Sequence, residues 1–182
     1  MARNTLSRSL HDLGLAAWFG GTLANAVALN AAAGAAPDPR SSGAVANVGW
    51  DRWTPVNAAA IGAHLAGSVG QILGNKSRIK GQQGVATMSL AKTGLTAAAL
   101  GVTAYSRALG KKVSEHTDVP AESGTEPHAA TPRDVAAAQK KLQALQWVVP
   151  ALTGALVVVS SYAGEQERYS EVKKGVLGRL TP

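Results

Sequence analysis

The sequence contains no cysteine, which excludes disulfides, thiolate metal sites and cysteine nucleophiles. Charged residues make up only 16% of the 182 residues, and they are missing from long stretches of the chain. One such stretch, Leu142–Gly164, runs for 23 residues without Asp, Glu, Lys or Arg. As an α-helix it would be roughly 30 Å long, which is the thickness of the hydrocarbon core of a bilayer. The stretch therefore predicts a membrane-spanning helix.

Three further stretches share this property. Leu13–Pro37 and Trp53–Asn75 carry no charged residue, and Gly81–Ser106 carries only Lys92. The pattern predicts an all-α, integral membrane four-helix bundle that forms one domain over residues 1–182, with approximate spans 13–36, 55–74, 84–106 and 143–164. Because the first three stretches are rich in Ala and Gly, fewer spans or a soluble Ala-rich bundle stay open as alternatives. The first stretch also has the shape of a signal peptide.

The segments between the predicted spans are polar. Residues 37–53 are interpreted as a linker, after which Thr54 and Pro55 predict the start of a helix as N-cap and first helical residue. Residues 110–131 contain almost no large apolar side chains, so we expect a mobile polar loop between spans three and four. The residues after Gly164 predict a short amphipathic tail.

Four spans bring the N-terminus, the turn 76–83 and the C-terminal tail to one side of the membrane, which we call side A. Residues 38–53 and 107–141 then lie on side B. Lys and Arg are almost equally divided between the sides, so the short basic turn KSRIKGQQ and the basic N-terminus decide the orientation. They predict a multi-pass protein of the plasma membrane with both termini in the cytoplasm.

Lys92 is the sharpest single candidate for a functional residue. It would lie about 12 Å from side A within the third span, and His64 about 15 Å from side A within the second. A lysine at such a depth is costly and marks a functional site by default. Lys92, His64 and Asn25 are therefore predicted to form an intramembrane polar site. Lys92 would give up its proton, extend toward side A, or pair with carbonyl groups and Asn25.

A second candidate site lies at the side A rim, where His11 and Asp12 would meet Glu165 in a cation site. A haem bound jointly by His11 and His64 is disfavoured, because the two residues would differ in depth by about 15 Å. No motif predicts a catalytic residue, a resident metal or a cofactor. The sequence gives no reason to expect an enzyme.

Several segments resemble a family of small actinobacterial membrane proteins, namely LHDLGLAAWFGGTLANAVALN, GWDRWTPVNAAAIGAHLAGS, GQQGVA, LGKKV, LQWVVPALTGALVVV and GEQER. The resemblance covers nearly the whole chain and implies a four-helix integral membrane protein. It implies no particular function. The first span is also distantly similar to the opening helix of copper-resistance-type membrane families, although four His and two Met residues are few for copper handling.

These observations favour an accessory or interaction subunit of a membrane complex. The lipid bilayer is the first expected partner, and a larger membrane protein complex or self-association is the second. The formal charge of +7 is spread over every loop, so nucleic acid is not expected as a partner. A small transporter or proton-conducting module that uses Lys92 is the alternative function. A metal- or haem-handling module is a weaker alternative.

Overall fold

The computed structural model describes residues 4–115 and 119–180 of the chain. This part of the chain is all-helical. The elements in chain order are α1 (Thr5–Ala24), a π-helical turn (Asn25–Leu29), α2 (Asn30–Ala33), α3 (Pro39–Gly74), α4 (Lys76–Gly81), α5 (Val85–Ser114), α6 (Arg133–Glu165) and α7 (Tyr169–Leu180).

Four helices are long and apolar enough to cross a membrane. The first is the continuous helix Thr5–Ala33, which consists of α1, the π-helical turn and α2, and the others are α3, α5 and α6. They contain 29, 36, 30 and 33 residues, and each includes an apolar window of 18 residues. The predicted all-α fold with four membrane-length helices is confirmed at this level.

Each of these helices extends beyond the predicted span at one or both ends. The first begins at Thr5 rather than at residue 13, and α3 begins at Pro39 rather than at residue 55. Likewise α5 continues to Ser114, and α6 begins at Arg133. Charge-free runs mark the apolar part of a helix, and the helix itself continues into polar sequence until a cap or a turn ends it.

The start of α3 differs from the prediction for a specific reason. Asp38 is its N-cap, because the carboxylate accepts hydrogen bonds from the backbone N–H groups of Arg40 and Ser41 at 3.0 and 3.1 Å. The Ser41 hydroxyl donates to the same carboxylate, and these bonds hold the pKa of Asp38 below its usual value. Pro55 consequently lies inside α3. Thr54 is not a cap, and its hydroxyl donates to the carbonyl oxygen of Trp50 at 2.8 Å.

The loop between α5 and α6 contacts the helices that flank it. Its described part packs back onto the helices on side B, where the Ala121 N–H donates to the Pro39 carbonyl at 2.8 Å and the Gly124 N–H donates to the Asn30 carbonyl at 3.2 Å. The side chain of Ala121 is buried. Residues 119–132 therefore have a defined conformation against their neighbours, and the predicted mobility of the loop stays a prediction.

Asn30 connects four elements on side B. Its side chain is buried, donates to Gln146 Oε1 of α6 at 2.7 Å and accepts from Trp50 Nε1 of α3 at 3.0 Å. Its backbone carbonyl accepts the bond from Gly124 of the loop. A buried amide that finds a partner for each polar atom fixes the positions of the elements that supply those partners.

The helices pack as two pairs, α1 with α3 and α5 with α6, and α1 also packs against α6. In contrast, α3 and α5 barely contact one another. A small apolar core in the middle of the bundle unites the four helices and consists of Trp18, Ala60, Ala99 and Val149.

The α1–α3 pair is held by backbone-to-backbone contact at two glycines. A Cβ atom at Gly14 would overlap the backbone of Ala60 and His64, and one at Gly67 would overlap the backbone of His11. Small residues at such crossings allow close helix approach and strong van der Waals packing. This crossing lies next to both buried histidines.

We predict that Gly14→Ala and Gly67→Ala each destabilise the protein, because the added methyl group forces the two backbones apart. Overpacking of this kind costs about 1–3 kcal/mol. The matched controls are Gly20→Ala on α1 and Gly62→Ala on α3, where a Cβ atom would meet no other atom within 4 Å. Thermal unfolding in detergent should show a lower Tm for the first two variants only. Equal Tm values for all four variants would contradict the close crossing.

Candidate functional site

The side chains of His11 on α1 and His64 on α3 meet inside the bundle. Their ring centroids lie 4.5 Å apart, and the side chains are 1% and 0% exposed. The Nδ1 atom of His11 lies 2.7 Å from a carboxylate oxygen of Asp12, whose side chain is 61% exposed. The His11–Asp12 pair therefore joins a buried imidazole to the surface of the protein.

The partners of His64 define which of its nitrogens carries hydrogen in the neutral ring. Its Nδ1 atom lies 3.3 Å from the backbone carbonyl oxygen of His11, which only accepts, so Nδ1 is the donor. Its Nε2 atom then accepts from the Thr96 hydroxyl of α5 at 3.4 Å. The Trp18 indole stands edge-on to the His64 ring at 6.1 Å and covers it on the side B face.

Lys92 lies one helical turn before Thr96 on α5. It lines a cavity of about 320 Å³ between α3 and α5 in the side A half of the bundle, and its side chain is partly buried. Its ammonium group interacts electrostatically with Asp12, Glu167 and Arg8. Thr96 lines the same cavity as Lys92 and contacts His64 Nε2, so it connects the two residues.

Asn25 does not belong to this region. It lies 14 residues after His11 on the same helix, which corresponds to about 21 Å along the axis. Its side-chain nitrogen is buried and has no hydrogen-bond partner in the described part of the chain. Of the three residues predicted for the intramembrane site, Lys92 and His64 are related through Thr96, which lies one turn from Lys92 and contacts His64 Nε2, and Asn25 lies toward side B.

The predicted rim site is not assembled either. Glu165 pairs with Arg168 at 2.9 Å and does not join His11 and Asp12. Within residues 4–115 and 119–180, no three His, Asp or Glu side chains are close enough to hold a metal ion. His11 is also not a rim residue, because α1 begins at Thr5 and so carries it inside the bundle.

The side A rim instead carries a hydrogen-bonded network around Glu167. This carboxylate binds Arg8 of α1 and, at 2.9 Å, Arg78 of α4. Arg78 and the buried Gln82 both donate to the Gln166 carbonyl oxygen at 2.9 Å. The network closes the end of the bundle next to the Lys92 cavity. Sequence reasoning missed it because its members come from three separate segments.

The predicted difference of about 15 Å between the depths of His11 and His64 is wrong. That difference came from counting the first span from residue 13, whereas two further helical turns precede it. The contact between the rings still does not form a site at which both histidines could bind one haem or metal ion. Among the four ring nitrogens, only His11 Nε2 has no hydrogen-bond partner in the described part of the chain.

A second cavity of about 320 Å³ lies between α3 and α5 in the side B half of the bundle. Leu100 lines both cavities, so the two follow the same α3–α5 seam and meet at this residue. The side B cavity was not predicted, because spacing along one helix does not tell that Asn57 of α3 and Thr103 of α5 line the same cavity.

No protein-family model, no curated protein and no solved structure matches this chain. The resemblance to small actinobacterial membrane proteins stays a prediction. A functional conclusion therefore rests on the arrangement of the residues alone.

The absence of cysteine makes water access to the cluster directly measurable. We predict that the thiol of Lys92→Cys reacts readily with a charged methanethiosulfonate reagent in detergent, because residue 92 lines the side A cavity. Ala99→Cys is the control on the same helix, since Ala99 is completely buried. Equal labelling of the two variants would show that the cavity does not admit water to Lys92.

Proposed function

We propose that this chain is a small multi-pass protein of the cell membrane that takes up and releases protons at the cluster of His11, His64 and Lys92. It would act as a proton-conducting module or as a proton-coupled transporter. The observation that carries the proposal is the contact between the buried imidazoles of His11 and His64 at the level of a partly buried lysine. Ionisable side chains inside a membrane are expensive and are retained for function.

The membrane location is supported by the four long apolar helices, because an α-helix satisfies its own backbone hydrogen bonds in the absence of water. The lipid bilayer is accordingly the first partner. The basic turn around α4 supports a cytoplasmic side A in the plasma membrane, with both termini on that side.

The arrangement supports a short route for protons from side A. The exposed carboxylate of Asp12 is bonded to His11 Nδ1, and the ring of His11 lies against the ring of His64. The second nitrogen of His64 contacts Thr96, one turn from Lys92 and the side A cavity. The passage between the two rings would begin at His11 Nε2, which has no hydrogen-bond partner in the described part of the chain, because the backbone carbonyl bonded to His64 only accepts hydrogen bonds and relays no proton.

Proton flux into liposomes that contain the purified protein tests the proposal. Lys92→Met and His64→Gln should each lower the flux by at least about tenfold, because single acid–base groups contribute factors of 10² or more to proton transfer. Lys92→Arg should not restore it fully, since Arg stays protonated. Lys111→Met is the matched control, because Lys111 is exposed on the same helix near its side B end.

The same variants distinguish the proposal from a role as an accessory subunit. That role predicts unchanged flux in all variants and stoichiometric co-purification of a larger membrane complex. Lys92→Met should not lower the Tm of the protein under either function, because removing a charge from the membrane interior favours insertion by at least about 2.5 kcal/mol. A fully active Lys92→Met protein would contradict the proposed proton site.

The orientation has its own test. Reporters fused after residue 182 and inserted at residue 80 should report the same side of the membrane as the N-terminus, and a reporter inserted at Ser123 should report the opposite side. Four crossings require this alternation. A reporter at Ser123 on the N-terminal side would mean that one of the helices does not cross.

A further inference from the structure

The side B cavity contains an unusual concentration of polar atoms that have no partner in the described part of the chain. Four of its lining residues carry such atoms: Trp53 Nε1 and Asn57 Oδ1 on α3, and Thr103 Oγ1 and Ser106 Oγ on α5. The spacing within each pair is one helical turn, so each pair lies on one face of its helix, and both faces line this cavity. Buried polar groups without a partner are rare in folded proteins and call for an explanation.

The hydrogen-bonding capacity of these four groups defines what they recognise. The Trp53 indole only donates, the Asn57 carbonyl oxygen only accepts, and the hydroxyls of Thr103 and Ser106 do both. The matching group must therefore accept and donate hydrogen bonds, as a hydroxyl does. Each of the four atoms is covered by its neighbours, so binding requires small side-chain rotations that turn them toward the cavity.

The remaining lining argues for a neutral ligand with an apolar body. Among the described residues, Arg107 is the one charged residue at the cavity, and its charge is balanced by Asp51 at 3.2 Å. The wall below the polar groups is apolar and consists of Ile61, Leu100 and Val149 together with other aliphatic residues. A volume of about 320 Å³ suits a small molecule.

Access to the cavity follows from the packing of the helices. Because α3 and α5 barely contact one another, the cavity lies along an unsealed seam of the bundle. In a membrane, such a seam faces the lipid, from which an amphiphile enters without crossing water. Charged molecules do not reach the site by this route.

We propose that the side B cavity binds an uncharged amphiphile whose hydroxyl-bearing head is held by Trp53, Asn57, Thr103 and Ser106 and whose apolar body lies against Leu100. The site is independent of proton transfer at His64 and Lys92. The proposal of a ligand site in the side B cavity does not depend on whether the chain moves protons.

Binding of glycerol monohexanoate to the purified protein in detergent tests the site. This probe has two hydroxyls and a short apolar chain, and the hexanoate anion is its charged counterpart. Isothermal titration should give saturable binding of one molecule of glycerol monohexanoate per chain and no saturable binding of hexanoate at pH 8. Partition of both probes without saturation, or equal binding of the two, would overturn the proposal.

Two substitutions separate recognition from a merely structural role. Thr103→Val and Asn57→Leu should each raise the Kd for glycerol monohexanoate by about fivefold, as expected for one lost hydrogen bond. Neither should lower the Tm, because each removes an atom that lacks a protein partner. Thr93→Val is the control on the same helix, since the Thr93 hydroxyl donates to the Ser89 carbonyl outside this cavity. An unchanged Kd in Thr103→Val and Asn57→Leu would refute the assignment of the head group to these residues.

Discussion

The close crossing of α1 and α3 is the contact on which the rest of the structure depends. Because Gly14 and Gly67 have no side chains, the two backbones touch, and His11 and His64 come to lie in the same layer of the bundle. With α1 held against α3, it also packs on α6, while α5 packs on α6 and leaves α3 almost untouched. Both cavities lie in the seam that remains between α3 and α5.

The four long helices could be predicted because runs without charge report directly on apolar helical segments. Their ends could be predicted only in part, because helix ends depend on local capping rather than on hydropathy: the end of α3 at Gly74 was predicted, and its start was not. At α3 the Asp38 carboxylate satisfies the first N–H groups, so the helix continues through Pro55 to Gly74. The Thr54–Pro55 pair has the sequence of a helix start, yet the Thr54 hydroxyl donates to the Trp50 carbonyl oxygen inside the helix. The same dipeptide can therefore start a helix or lie within one, and the surrounding structure determines which of the two occurs.

The candidate site could be predicted only for residues whose position follows from counting residues along a single helix. Lys92 and His64 were assigned to similar depths because each lies a known number of residues from a recognisable turn, and Thr96, one turn from Lys92, contacts His64. The position of His11 was predicted wrongly because the start of its helix was placed at residue 13 instead of Thr5. The role of Asn30 and the grouping of Asn57 with Thr103 depend on which helices are neighbours. Spacing within one helix carries no information about its neighbours.

The two halves of the seam differ in chemistry, and this difference bears on the proposed proton site. The side A cavity holds Lys92 and ends at the Glu167 network, whereas the side B cavity is neutral apart from the balanced charge of Arg107. Leu100 lies where they meet and packs against the apolar core of the bundle. Under the proposed function, protons that reach His64 from side A would have to leave by the same side unless this layer opens. Since α3 and α5 share few contacts, their separation disrupts few interactions, so opening at Leu100 is what would turn a buried proton site into a pathway.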